Sequence, residues 1–368
     1  MDNLKSIVSL GIMCGSSLDG VKFSLIRTDG IDVFKVYKSR KFLYPEDLKV
    51  KIRSLIADRK PSDERLEGIN SEFTKFIADS FSEFKEDFDE NIDVIGFEGN
   101  TIYFDAENKL ILQTGNPQAL ADATKTKTVA EFRQSDLNLG GQGAPISPTF
   151  YAAVSADFKK PLVFINIGGS SLLTYFGELG EMISFDCGVG NSIIDEYMKK
   201  HACMDMDYDG KCAISGKVDE KIVQHMLKNK YLQKRAPKVA ELGIFDEKAE
   251  HLEGLSCNDG AATVTDFVAS SISLQLRDFI PQLPEKIIVS GGGVNNPTLI
   301  RFLRKKLPEC EIIPAKEIGL DSYSLSTQVR AFLAVRRLYN MPITFPSTTG
   351  VVYPAIGGKI FYPEESAK

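Results

Sequence analysis

This chain has few histidines and none of the long apolar runs that cross membranes. Its only histidines are His201, His225 and His251, none at ligand spacing to another or to a cysteine pair. A zinc site is therefore not expected, and all three read as surface or helix-end residues. The six cysteines are scattered without a Cys-x-x-Cys pair, so reduced thiols and a cytoplasmic setting are expected. No run approaches the ~18 consecutive apolar residues of a membrane span. The apolar stretch 6–13 is too short, and follows too little positive charge, for a secretory leader. Neither the Walker pattern nor the dinucleotide Gly-x-Gly-x-x-Gly pattern occurs, which removes the commonest phosphate loops. A solenoid repeat and low-complexity tracts are absent as well. The net charge of -6 argues against non-specific nucleic-acid binding, though a local basic group can still meet an anionic substrate.

What is present is ordinary in bulk and informative in its turns. With 368 residues, 43% hydrophobic and 26% charged, the chain reads as a soluble globular protein of two domains. Residues 6–13 read as a buried strand and 21–28 as its antiparallel partner. Between them lies Gly15-Ser16-Ser17-Leu18-Asp19-Gly20, continued by Val21 and Lys22. Backbone N–H groups of such a turn can converge on a phosphate, and Asp19 can hold Mg²⁺ directly or through water. A second turn of this kind, Gly168-Gly169-Ser170-Ser171, ends the apolar run 161–167. In a third, the strand 286–290 runs into Gly291, Gly292 and Gly293, then into a helix that Asn295 or Asn296 can cap, with Pro297 in its first turn.

The order of elements suggests duplication. Residues 5–37 read as three strands and 45–85 as helical. In the second half come strands at 161–168, 171–176 and 182–187, then a helix from 191 to 201. A charged helical region at 218–257 and a long helix at 260–280 precede the strand at 286–290. The segment 324–339 reads as a helix whose arginines Arg330, Arg336 and Arg337 form a solvated face. The tail 342–363 is expected to pack back on the first half. Strand-strand-strand-helix occurring twice predicts two related α/β domains facing a cleft. Gly140-Gly141-Gln142-Gly143-Ala144-Pro145 is too flexible for an element interior and reads as a hinge or binding loop. The expected division is 1–140 plus about 341–368 for one lobe and 141–340 for the other.

These loops, in this order, resemble the anhydro-N-acetylmuramic acid kinase family of the actin, sugar-kinase and 70-kDa heat-shock ATPase superfamily. The resemblance rests on the Gly15 to Val21 turn, Phe132-Arg133-x-x-Asp136, the Gly-Gly-Gln-Gly-Ala-Pro string, Asn166-Ile167-Gly168-Gly169 and Phe185-Asp186-x-Gly188-x-Gly190-Asn191. It extends through Asp209-Gly210, Pro237-Lys238, Gly291-Gly292-Gly293-x-Asn295-Asn296-Pro297 and Pro346-Ser347-x-Thr349-Gly350. It implies a two-lobed actin-like ATPase fold that uses ATP and Mg²⁺. The implied reaction phosphorylates 1,6-anhydro-N-acetylmuramic acid while opening its anhydro bridge with water, in cell-wall recycling. Asp186 matches the family's catalytic base; the bland reading is a turn or cap aspartate. Glu98, Arg133, Asp136, Gln142 and Ser326 fall on the sugar side, where Arg133 and Asp136 pairing with each other is an equal expectation. A homodimer is also implied.

Several sugar-side positions depart from the family. Its His-Gly-Gln-Thr is here Glu98-Gly99-Asn100-Thr101, and its Asp-Thr-Gly-Pro-Gly-Asn is Asp186-Cys187-Gly188-Val189-Gly190-Asn191. Where the family has a sugar-facing Glu near the start of the helix 324–339, this chain has Ser326, and Glu98 is the candidate to supply the missing charge. Two further readings therefore stand beside the first: a kinase for another anhydro-sugar such as levoglucosan, and a catalytically weak nucleotide-binding protein.

Overall fold

The computed structural model describes residues 4–364 apart from 16, 17, 19, 59, 60 and 241–251. The chain divides into two compact units, one of residues 1–156, 324–346 and 350–368, the other of 157–323 with 347–349.

In the first unit β1 (Ile7–Cys14) pairs antiparallel with β2 (Val21–Thr28), and β2 with β3 (Val33–Phe42). On its other edge β1 takes β4 (Val94–Glu98) in parallel. A separate hairpin, β5 (Thr101–Asp105) and β6 (Leu110–Gln113), comes before β7 (Thr128–Ala130), which pairs parallel with β4.

The two-residue period of β1 decides what covers each face. Val8, Leu10 and Ile12 join an apolar cluster with the helices Glu46–Asp58 and Asp63–Lys85. Ser9 and Gly11 turn the other way, toward the helix Leu325–Leu338, where Ser9 Oγ donates to the Ala331 carbonyl at 2.7 Å. A Cβ on Gly11 would stand 1.9 Å from the Thr327 carbonyl oxygen, and one on Gly96 2.0 Å from that of Arg330. Gly11 and Gly96 are register partners in β1 and β4. Two glycines side by side thus let the helix backbone touch the sheet.

In the second unit β8 (Leu162–Ile167), β9 (Ser170–Phe176) and β10 (Met182–Val189) form an antiparallel meander. Beside β8 lie β11 (Lys286–Ser290) and then β12 (Glu311–Pro314), both parallel. The helices Asn191–Ala202, Cys257–Phe279 and Pro297–Lys306 complete its core. The last strand, β13 (Lys359–Phe361), returns to the first unit and pairs with β7, so the tail does pack on the first half.

The strand orders are β13-β7-β4-β1-β2-β3 and β10-β9-β8-β11-β12. Apart from β13 they are one layout: three antiparallel strands, then two added in parallel beside the first. The expected duplicated α/β architecture is what the chain adopts. The charged region 218–257 contains the short helices Glu220–Met226 and Lys230–Gln233, while 241–251 lies outside the described residues. Among the described residues no helix is long and apolar enough to cross a membrane.

The division differs from the one expected. Loop 140–145 sits inside the first unit, and so does the helix Leu325–Leu338, which the sequence reading placed in the second. The physical reason is the glycine-paved face just described, which a period count along the helix alone does not reveal. Gly96→Ala should therefore cost about 1–3 kcal/mol of stability, as overpacking does. Urea unfolding reads this as a lower midpoint, and an unchanged midpoint would mean that the helix does not press on the sheet there.

Candidate active site

In the second unit the glycine motifs converge on the C-terminal ends of β8 and β11. The Gly168 N–H donates to the Ser170 carbonyl at 2.9 Å, closing the turn after β8. The Asn191 N–H donates to the Gly168 carbonyl at 2.7 Å and the Gly190 N–H to that of Gly169 at 2.8 Å. The start of the helix Asn191–Ala202 is thereby tied to that turn. Gly291 takes φ +83°, and a Cβ there would lie 2.5 Å from Asn166 Oδ1; one on Gly293 would lie 2.4 Å from Ile167 Cγ2. A Cβ on Gly292 would come within 3.3 Å of Asn191 Nδ2, and on Gly169 it would meet nothing within 4 Å.

Asn296, not Asn295, caps the next helix: its Oδ1 accepts from the Leu299 N–H at 3.0 Å, with Pro297 in the first turn. Thr298 Oγ1 donates to the Gly210 carbonyl at 2.9 Å, which brings the Asp209-Gly210 motif to the same place. Asn166 and Asn191, named in the motifs but given no role there, thus belong to the loop cluster. Strand ends bordered by glycine turns and a helix start suit the close approach of a phosphate-bearing ligand.

Asp186 lies on β10 at a bulge, since Asp186 pairs with Leu172 and Gly188 with Ser171. Phe185 and Cys187 enter the apolar core, so Asp186 faces the opposite way, half-buried. Its position is fixed from three directions. Its N–H donates to the Lys238 carbonyl at 3.1 Å, its carbonyl accepts from the Tyr231 hydroxyl at 2.8 Å, and its Oδ2 accepts from the Ala240 N–H at 2.9 Å.

In the first unit, Ser16, Ser17 and Asp19 of the first turn lie outside the described residues. The flanking backbone is a tight turn: the Leu18 N–H donates to the Gly15 carbonyl at 3.2 Å, with φ +52° at Leu18 and +141° at Gly20. The side chains of Leu18 and Val21 sit in the apolar core, so at those two positions only main chain is left to face a ligand; Lys22 follows, half-buried in β2. The turn is held by Asn100, whose Nδ2 donates to the Gly15 carbonyl at 2.9 Å while its Oδ1 accepts from the Tyr44 hydroxyl at 3.0 Å. Among the described residues no group of three or more His, Cys, Asp or Glu is placed to hold a metal ion. Asp19, the carboxylate expected to hold Mg²⁺, is itself outside the described residues.

The sugar-side residues of the first unit are arranged differently from expectation. Glu98 ends β4 and is 5% exposed. Its Oε1 accepts from Arg133 Nε at 2.7 Å and its Oε2 from Arg330 Nε at 2.6 Å, with Arg330 Nη2 on the same oxygen. Arg133 therefore pairs with Glu98 rather than with Asp136, and its Nη1 donates to the Gly143 carbonyl at 2.9 Å. The buried Asp136 instead anchors the glycine string, its Oδ2 accepting from the Gly143 N–H at 2.7 Å. Gln142 is half-buried within that anchored string.

Arg330 is no part of a solvated face, being 5% exposed. Arg336 and Arg337 also turn inward to main chain, donating to the Gly30 and Gly358 carbonyls, each at 2.7 Å. Burial alone would raise the Glu98 pKa; the charges of Arg133 and Arg330 outweigh it and hold the group at about 2. Glu98 is thus committed to two guanidinium groups and cannot substitute for the missing acid at Ser326. Ser326 itself is half-buried, and its carbonyl accepts from Arg330 Nη1 at 3.0 Å. On the same helix as Ser326 and Arg330, Thr327 Oγ1 and Gln328 Oε1 are buried without a hydrogen-bond partner among the described residues, the condition of atoms that a water or ligand hydroxyl satisfies.

Comparison with known proteins agrees with this assembly of motifs. The family model described as anhydro-N-acetylmuramic acid kinase matches residues 7–363. A protein of that name from Acidiphilium cryptum is 34% identical, over 98% of this chain and 99% of its own length. Another from Rhodospirillum rubrum is 34% identical over 96% and 94%. Among solved structures, component A of the Acidaminococcus fermentans (R)-2-hydroxyglutaryl-CoA dehydratase aligns with TM-score 0.43 and 15% identity, covering 91% of this chain and 100% of that one. A ROK family glucokinase from Streptomyces griseus aligns with TM-score 0.42 and 11% identity, covering 89% and 99%. Both structural likenesses are too distant to carry an argument.

Removing the Glu98 charge strands two guanidinium groups. Glu98→Gln should cost about 3–5 kcal/mol, the range for breaking a buried ion pair. The sign in pH follows from a folded pKa of about 2 against the ordinary 4.5. The Glu98 contribution is fully present above about 4.5 and is lost as pH falls toward 2. Urea midpoints measured down that range should fall more steeply for the wild type than for Glu98→Gln; parallel curves would refute the assignment.

Proposed function

This chain belongs to the anhydro-N-acetylmuramic acid kinase family, and we propose from that premise how its residues carry out the family's reaction. The substrates are ATP and 1,6-anhydro-N-acetylmuramic acid, the products ADP and N-acetylmuramic acid 6-phosphate, and the setting is cytoplasmic recycling of cell-wall sugar. The Asp186 carboxylate takes a proton from a water molecule as that water attacks the anomeric carbon. The bond from that carbon to the bridge oxygen breaks, and the freed oxygen attacks the γ-phosphorus. The bond from that phosphorus to the β,γ-bridging oxygen then breaks, and ADP leaves. One proton remains on Asp186, so atoms and charge balance.

The observation that carries this reading is the triple tether on Asp186. A general base gains most when its geometry is set before the substrate arrives. The turn at Gly168 and Gly169 and the glycines 291–293 supply close main-chain approach for the nucleotide, with Asn296 fixing the helix beyond them. Gly15, Leu18 and Gly20 shape the first turn, where Asp19 would hold the Mg²⁺ that accompanies ATP and supplies charge neutralisation on its phosphates. Arg133, held by Glu98, and Gln142 orient the sugar. Ser326 in place of an acid gives footing to a second reading, turnover of a different anhydro-sugar.

The test is release of ADP that depends on added sugar. The wild type should release ADP with anhydro-N-acetylmuramic acid, and Asp186→Asn should lose about 10²–10⁴-fold in kcat, the span for a positioned base. Turnover with levoglucosan alone would replace the substrate assignment. Nucleotide binding with no turnover on any anhydro-sugar would replace the enzymatic one.

A further inference from the structure

We propose that Lys238 is a positioning residue for this reaction, holding the Asp186 carboxylate in place through the main chain and the Tyr231 hydroxyl. The inference rests on the reading of Asp186 as the base. Lys238 is 3% exposed, and no carboxylate among the described residues pairs with it. Its Nζ donates to Gln275 Oε1 at 2.6 Å, to the Tyr231 carbonyl at 3.3 Å and to the Leu232 carbonyl at 3.5 Å. Three rings enclose it: Phe279 at 4.5 Å, Tyr231 at 5.0 Å and Phe185 at 5.5 Å from Nζ to centroid. Gln275 completes the clamp by donating from Nε2 to the Leu232 carbonyl at 2.9 Å.

Each end of this cage leads to Asp186. The Lys238 carbonyl accepts from the Asp186 N–H, and two residues further on the Ala240 N–H reaches Asp186 Oδ2. Tyr231, whose carbonyl takes the ammonium, gives its hydroxyl to the Asp186 carbonyl. Phe185, one of the rings, is the neighbour of Asp186 in β10. A buried cation that meets no counter-ion among the described residues is costly, and packing alone would be served by an apolar chain of similar length. What the ammonium adds is three donors for three fixed acceptors, which sets the segment that grips the carboxylate.

Burial lowers the Lys238 pKa to about 8. The ionisable groups facing it are Cys187 and Asp186 on β10, Tyr231 on the helix Lys230–Gln233, and Lys234 just beyond. Cys187 and Asp186 oppose the lowering and Lys234 adds to it. The helix Cys257–Phe279 presents Gln275 and Phe279, neither of which ionises. Above that pH the neutral amine keeps two donors for three acceptors and the grip loosens.

Sugar-dependent ADP release is followed from pH 6 to 10 in the full-length wild type and in Lys238→Met, Gln275→Glu and Asp186→Asn. Lys238→Met should lower kcat by about a hundredfold, as misplacement of a catalytic group does, with a much smaller change in KM. The wild type should show an alkaline fall of kcat near pH 8, and Lys238→Met should lose it. Gln275→Glu, which sets a carboxylate against the ammonium, should move that fall upward by about one pH unit. A wild-type kcat and pH profile in Lys238→Met overturns the proposal. If Lys238→Met does not fold, as judged by its thermal transition, an unmoved alkaline fall in Gln275→Glu overturns it instead. Full activity in Asp186→Asn would remove the base assignment itself; an inactive Asp186→Asn beside an unaltered Lys238→Met would remove only the role of Lys238.

Discussion

The helix Leu325–Leu338 rests on the sheet of the first unit where only hydrogen stands between backbone and backbone, at Gly11 and Gly96. That contact controls more than packing. Gly96 is two residues before Glu98 on β4, and its close neighbour is the carbonyl of Arg330 itself. Pressing the helix down at Gly96 places the Arg330 side chain on the Glu98 carboxylate. Glu98 in turn holds Arg133, and Arg133 holds the glycine string through the Gly143 carbonyl. One steric condition, two glycines in register, therefore sets the electrostatics of the whole Glu98, Arg133 and Arg330 cluster.

Local patterns made part of this legible. Glycine and serine breaking apolar runs marked the loops, and the recurrence of strand-strand-strand-helix marked the duplication. An Asn-Pro pair after the third glycine turn marked a helix cap. Each of those signals is contained within a dozen residues of chain. The partners of Arg330 and the unit to which its helix belongs are not. Glu98 is 232 residues from Arg330, and nothing about an arginine on a helix distinguishes a solvated one from one that reaches a distant carboxylate. Gly11 and Gly96 carried a usable clue: glycine in the interior of a buried strand usually means that another backbone comes close.

Lys238 and Asn100 stand inside motifs the sequence displays, but what each does was not legible there, for a different reason. Both act through the main chain of the functional loops: Asn100 on the Gly15 carbonyl, Lys238 on the carbonyls of Tyr231 and Leu232. Their worth comes from what the fold brings to them. Asp136 belongs with them. It was singled out as a substrate or ion-pair residue, yet its carboxylate ties down the Gly143 N–H.

The charge of the first-unit cluster constrains the chemistry. Two guanidinium groups face one carboxylate that stays ionised down to about pH 2, and Ser326 brings no charge. Such a cluster can orient and attract a substrate, but it offers no group that exchanges a proton near neutral pH. In the second unit the Asp186 carboxylate accepts the Ala240 N–H and its main chain is tied to Lys238 and Tyr231, while burial lowers the pKa of Lys238 to about 8. Burial and pairing separate the two clusters: in the first unit charges are locked against one another, and in the second a carboxylate is gripped at its main chain and at one oxygen.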